Sequence, residues 1–167
     1  MKHRVDITTA IEVILYITKQ CTNMYHVLKI IYFADKAHLA QYGQLMYHDT
    51  YLALSHGPVP SAAYDLVKYA RGDGIWNPGL RLDVGFAVKK HHLLPYREPN
   101  MDYLSESAVE CLDAAILKYG KLSFDQLKQI SHDEAYQASD ENDFIPLASI
   151  IRTLPDSQIL LDYVSAH

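Results

Sequence analysis

At 167 residues, 49% of them hydrophobic, the chain suits one compact domain spanning 1–167 that buries roughly two-thirds of the surface its unfolded form exposes. Fifteen Lys and Arg against twenty Asp and Glu give a formal charge of −5, which repels phosphate backbones and argues against nucleic acid as a first partner. No apolar run approaches the ~20 residues needed to cross a bilayer, no signal-type segment follows Met1 to Arg4, and Cys21 and Cys111 stand alone, so the sequence predicts a cytoplasmic protein without membrane, zinc or thiol chemistry.

Thr9-Ala-Ile-Glu12 has capping-box spacing and Ile11, Ile14, Leu15 and Ile17 follow as an apolar stripe, predicting a helix from Thr9 to Cys21. Asn23 caps a second helix whose Val27, Leu28, Ile31, Ala34, His38 and Leu39 recur at helical spacing, and Gly43 after Tyr42 ends it. From Leu45 to Ser55 the pattern turns to Tyr, Thr and aliphatic residues, an extended segment with Tyr47, Asp49, Tyr51 and Ala53 on one side. His56-Gly57-Pro58-Val59-Pro60 breaks it and leads into a helix over Ser61 to Ala70.

Gly72-Asp73-Gly74 and Asn77-Pro78-Gly79 mark a loop, and Leu82 to His92, with Leu93 to Tyr96, reads as extended chain. Ser105, with a Leu104 to Val109 staple, starts a helix that ends at Gly120, and Ser123-Phe124-Asp125-Gln126 is a second capping box. Gln137 to Asp143 is an acidic loop, and helical turns over Leu147 to Arg152 and Asp156 to Val164 close the chain. The fold class that follows is mostly α (α+β): a compact helical bundle with a small antiparallel sheet or hairpin.

Few residues are arranged for reaction chemistry. Asp35 and His38 share a helix face at i, i+3, but a catalytic zinc needs three protein ligands, and an exposed polar pair is the simpler reading. Ser55 and His56 are neighbours on an extended chain and point to opposite faces, so they do not form a nucleophile and base. Gly72-Asp73-Gly74 lacks the Lys-Ser/Thr ending of a phosphate loop. Lys89, Lys90, His91, His92 and Arg97 form the only basic run, which reads either as a solvated strand edge or as a patch for an acidic protein surface or RNA. Thirteen tyrosines against four Phe and one Trp are the compositional oddity; amphipathic rings of this kind serve protein contacts or a polar core edge.

The order Lys29, Tyr32-Phe33-Ala34-Asp35, Tyr42-Gly43, Tyr51, Gly57-Pro58-Val59 and Tyr64 resembles the Panacea domain, the SocA-like antitoxin family common in mobile elements and phages. The resemblance implies an antitoxin that neutralises a cognate toxin by direct binding, with delivery to a protease or chaperone as an adaptor function. It implies no enzyme activity, no cofactor and no catalytic or metal-binding residue. The family-motif positions are Lys29, Tyr32, Asp35, Gly43, Gly57, Pro58 and Val59. Partner-binding candidates, chosen beside the signature from the residue types that dominate interfaces, are Tyr51, Tyr64, Tyr69, Arg71 and Trp76. The alternatives are a small metal-dependent hydrolase built on the histidines and a nucleic-acid-binding regulator built on the basic run; metal content and salt-dependent binding distinguish them.

Overall fold

The computed structural model describes residues 3–73 and 82–167. Its described residues form eight helices, a three-stranded antiparallel sheet and a two-stranded hairpin, the mostly helical α+β layout that the sequence predicts.

The first helix, α1 (Ile7–Thr18), starts earlier than the capping-box reading placed it. Asp6 is the cap: its carboxylate accepts from Thr9 N at 3.0 Å and from the Thr9 hydroxyl at 2.8 Å. A carboxylate at this position satisfies an orphan amide and also meets the positive helix end, so it outcompetes the threonine. The central helix, α2 (Met24–Tyr42), has the predicted bounds, with Asn23 accepting from the Tyr25 and His26 amides and Gly43 in the left-handed conformation. Gly43 is required twice over, because at φ +76 a Cβ would also lie 2.6 Å from the Tyr163 ring.

The extended segment is shorter than expected and the breaker after it is itself a strand. Strand β1 (Tyr51–Leu54) pairs antiparallel with β2 (Gly57–Pro60), Ala53 opposite Pro58 and Tyr51 opposite Pro60. Proline lacks the amide needed in a sheet interior, yet β2 is an edge strand, where that donor is not called on. Helix α3 (Ser61–Arg71) follows, with Pro60 at its N-cap and no capping side chain of its own. Asp49 supplies one from a distance: its buried carboxylate accepts from Ala62 N at 2.8 Å and Ala63 N at 3.1 Å.

Strands β3 (Phe86–Lys89) and β4 (His92–Pro95) form a hairpin closed by Lys90 and His91. After a 3-10 turn at Met101–Tyr103 come α4 (Glu106–Tyr119), capped by Ser105, and α5 (Phe124–Ser131), which has the complete Ser123/Gln126 capping box. Short elements complete the described chain: α6 (Glu134–Gln137), β5 (Phe144–Ile145), which pairs with β1, α7 (Leu147–Ile151) and α8 (Ser157–Ala166). Helix α2 is the axis of the assembly, packed by α1, α4, α5, α7 and β2. No helix is long and apolar enough to cross a membrane among the described residues.

Candidate functional site

Most residues that carry the signature are interior, although Tyr42 is 40% exposed and Gly43 and Tyr64 are half-buried. Lys29, Tyr32 and Asp35 on α2 are 3%, 0% and 1% exposed, and each reaches a different element. The Lys29 ammonium donates to Pro58 O of β2 at 2.8 Å. Tyr32 donates its hydroxyl to Asp133 at 2.5 Å, and Lys36, one turn further on, pairs with the same carboxylate at 2.9 Å. Asp133 in turn caps α6 through the Tyr136 amide.

Asp35 accepts from Met46 N at 2.8 Å and from the Tyr51 hydroxyl at 2.6 Å, which pins the loop after α2 and strand β1 to one side chain. Tyr47 donates to Asp49 at 2.8 Å, so the carboxylate that starts α3 is itself held. Two tyrosine hydroxyls and four backbone amides therefore satisfy two carboxylates in the core. The signature is a set of struts radiating from α2.

Burial leaves its mark on these groups. Desolvation lowers the Lys29 amine from its ordinary value of 10.5 to about 7. Desolvation raises the Asp35 carboxyl from 3.8 to about 7 against the opposing pull of the Met46 and Tyr51 hydrogen bonds. The folded state thus holds a proton on Asp35 that the unfolded chain releases, and this contribution to stability is lost as pH rises from 3.8 to about 7. Lys29 has the opposite sign, since the unfolded chain keeps a proton that the folded amine sheds; its penalty is full below about 7 and is relieved as pH climbs towards 10.5. An Asp35→Asn variant is expected to gain stability relative to the parent as pH increases across the Asp35 window, measured as the difference in urea midpoint from about pH 4 to about pH 7. A difference that stays flat or runs the other way would contradict the buried-carboxyl assignment.

Around Gly57 three reactive side-chain types converge. A Cβ at that position would lie 2.7 Å from Ser131 Oγ, 2.8 Å from Lys29 Nζ and 3.3 Å from the His132 ring. They are not joined as nucleophile and base, because Ser131 donates to Lys128 O and Lys29 to Pro58 O, while His132 Nε2 is buried without a hydrogen-bond partner. The Asp35 and His38 pair, read from the sequence as exposed, is instead buried, 1% and 3% exposed, and its members part company: His38 bonds Gln44 O at 2.6 Å and Ser107 Oγ at 2.8 Å, while Asp35 faces Met46 and Tyr51. Among the described residues no three His, Cys, Asp or Glu side chains are grouped to hold a metal ion.

The five partner-binding candidates separate. Tyr51 is 1% exposed and bound to Asp35, so it is corrected from a surface anchor to a core strut: a buried ring offers a partner no area. Tyr64 and Tyr69 are half-buried on α3; Lys68 lies over the Tyr64 ring at 4.7 Å, and the Tyr69 hydroxyl accepts from Leu82 N at 3.1 Å. Arg71 is exposed at the end of α3 and pairs with Asp73 at 2.9 Å. Trp76 lies outside the described residues. Arg97 is withdrawn from the basic run by a two-pronged bond to buried Glu12, at 2.8 and 2.9 Å.

A surface that the sequence reading passed over lies at the C-terminal end of α2. A pocket of about 950 Å³ opens there, with Leu39, Leu45, Ile150 and Val164 in its lining. Phe144, Tyr163 and Leu147 stand on its rim, 57%, 48% and 37% exposed. Asp49 and Tyr51, the struts described above, also border it, so the core network fixes its shape. The pocket is apolar, concave and flanked by an edge strand, β5, features suited to gripping a polypeptide segment.

The family model described as antitoxin SocA-like, Panacea domain, matches residues 27–137. The chain belongs to this family. The match spans α2 through α6, and every strut from Lys29 to Asp133 falls inside it. The rim residues Phe144, Leu147 and Tyr163 fall after it. No curated protein and no solved structure matches the chain.

Proposed function

We propose that this Panacea-family chain is an antitoxin that works in the cytoplasm as one domain, neutralising a cognate toxin protein by direct binding and catalysing no reaction. The family match carries this reading, because an antitoxin implies a toxin as its partner. The structural support is the division of labour along α2: polar residues that would otherwise suggest chemistry are consumed as struts, while apolar residues that a core would normally bury stand exposed around a pocket.

The proposed contact surface is that pocket, with Phe144, Leu147 and Tyr163 as anchors, and the exposed end of α3 around Tyr64, Tyr69 and Arg71 as a second patch. The occupant of the pocket is a segment of the toxin. Because the rim lies beyond the matched core, it is the part free to be particular to one partner. A standard interface buries about 800 Å² on each partner, an area that the pocket and its rim can contribute to substantially.

The test is co-expression with the product of the neighbouring gene. Relief of that protein's growth arrest, together with co-purification of the two chains, is the expected result. Relief accompanied by disappearance of the toxin would mark the adaptor form of the same function, in which a protease or chaperone receives the bound toxin. Growth arrest that persists with both chains present and soluble would refute the reading.

A further inference from the structure

The turns of both hairpins meet at the other end of α2. The β1–β2 turn contributes His56, the β3–β4 turn His91, and the starts of α2 and α5 contribute Tyr25 and Phe124. Their rings form one cluster: Tyr25 lies 5.5 Å from His91, 5.4 Å from Phe124 and 6.3 Å from His56, and His56 lies 5.3 Å from Phe124. His56 and His91 are exposed, Tyr25 and Phe124 half-buried, so the cluster presents an open face.

That face is held rigidly. Met24 N donates to His91 O at 2.8 Å and Leu93 N to Thr22 O at 2.8 Å, which docks the β3–β4 hairpin on the start of α2. His26 Nε2 bonds Leu122 O at 2.7 Å and ties in the segment before α5.

Its charge is the reverse of the chain's. Lys89 and Lys90 immediately precede His91, Lys121 lies just before α5, and Lys128 sits one turn beyond Phe124 on the same helix face. None of the four forms an ion pair among the described residues, whereas Lys19, Lys36, Lys68, Arg71 and Arg97 all do. Asp125 is the acid that these segments contain. Lys90 also adopts φ +57, a conformation for which Gly or Asn is the ordinary choice, so a cation is kept at the hairpin tip against the local backbone preference.

We propose that this aromatic, lysine-rimmed face docks an acidic segment of a partner protein. Charge complementarity carries the argument: unpaired ammonium groups on the segments that carry an edge-to-face ring cluster favour carboxylates interspersed with apolar or aromatic side chains. A nucleic acid is disfavoured because a long polyanion also meets the −5 field of the whole chain, while a short acidic segment feels mainly the local patch. The proposal goes beyond the pocket reading, since eighteen residues of helix separate Tyr25 from Gly43, roughly 27 Å at 1.5 Å per residue, and both surfaces can be occupied at once.

The experiment is fluorescence anisotropy on the full chain with a labelled Glu-rich peptide of about ten residues containing one Trp, against its Gln-substituted counterpart and a single-stranded RNA of equal charge, at about 50 and about 300 mM salt. The expected result is at least about ten-fold tighter binding of the acidic peptide than the neutral one, lost at the higher salt. Lys89→Glu with Lys90→Asn should remove that preference without lowering the melting temperature, because Asn accepts the left-handed position. A pocket variant, Leu147→Glu, should bind the peptide as the parent does, so failure here and failure of the pocket reading are separable. Equal binding of the two peptides, an unaffected lysine variant, or tighter binding of the RNA would overturn the proposal.

Discussion

Replacing Gly57 by alanine is expected to destabilise the protein by about 2–6 kcal/mol, a large share of the 5–15 kcal/mol that holds a typical domain together. Two costs combine. The backbone at φ +114 lies where an L side chain is strained, worth about 1–3 kcal/mol. The added methyl would also lie 2.8 Å from Lys29 Nζ and 2.7 Å from Ser131 Oγ, and Lys29 cannot retreat without losing its bond to Pro58 O. A buried amine deprived of its acceptor costs about 1–3 kcal/mol more. Urea unfolding of the purified variant is the check, with Ser131→Ala added to test whether relieving one contact recovers part of the loss. A loss below about 1 kcal/mol would show that β2 does not need this glycine.

The second large effect is on binding and leaves the fold alone. Phe144→Glu with Leu147→Glu is expected to weaken the toxin complex by at least about 100-fold, since each change sets an unpaired carboxylate against an apolar contact. The isolated protein should tolerate both. Phe144 is 57% exposed on a two-residue strand, where the cost of losing an aromatic is under about 1 kcal/mol. Leu147 is the first residue of α7, a position where an acidic side chain favours the helix. A parental melting temperature with an abolished complex is therefore the signature to look for.

The elements readable from the sequence are those whose signals are local. Asn23 and Gly43 punctuate α2, and Ser105 and Ser123 mark α4 and α5, because a cap acts on amides two or three residues away. Strand β2 is invisible locally, since Gly57, Pro58 and Pro60 are breakers by themselves and become a strand only with β1 beside them. Asp49 reads as one polar residue in an extended stretch; its role as the cap of α3 exists only once the chain folds back.

The candidate site divides the same way. The signature positions were legible as a set, but their burial was not, because Tyr51 in a Tyr-rich segment looks as suited to a surface as to a core. The pocket was missed because Phe144, Leu147 and Tyr163 occur in short elements where apolar residues are read as core, and no sequence pattern distinguishes an exposed apolar residue from a buried one over so few positions. Trp76, the remaining aromatic candidate, is outside the described residues.

The central claim is that the buried polar residues of α2 are scaffold and that recognition belongs to the exterior. Titration calorimetry of the purified toxin against the parent chain and the Phe144→Glu, Leu147→Glu variant, paired with melting curves of both, tests it most directly. Loss of binding with an unchanged melt is the outcome this account predicts; binding of undiminished affinity by the well-folded variant would contradict it.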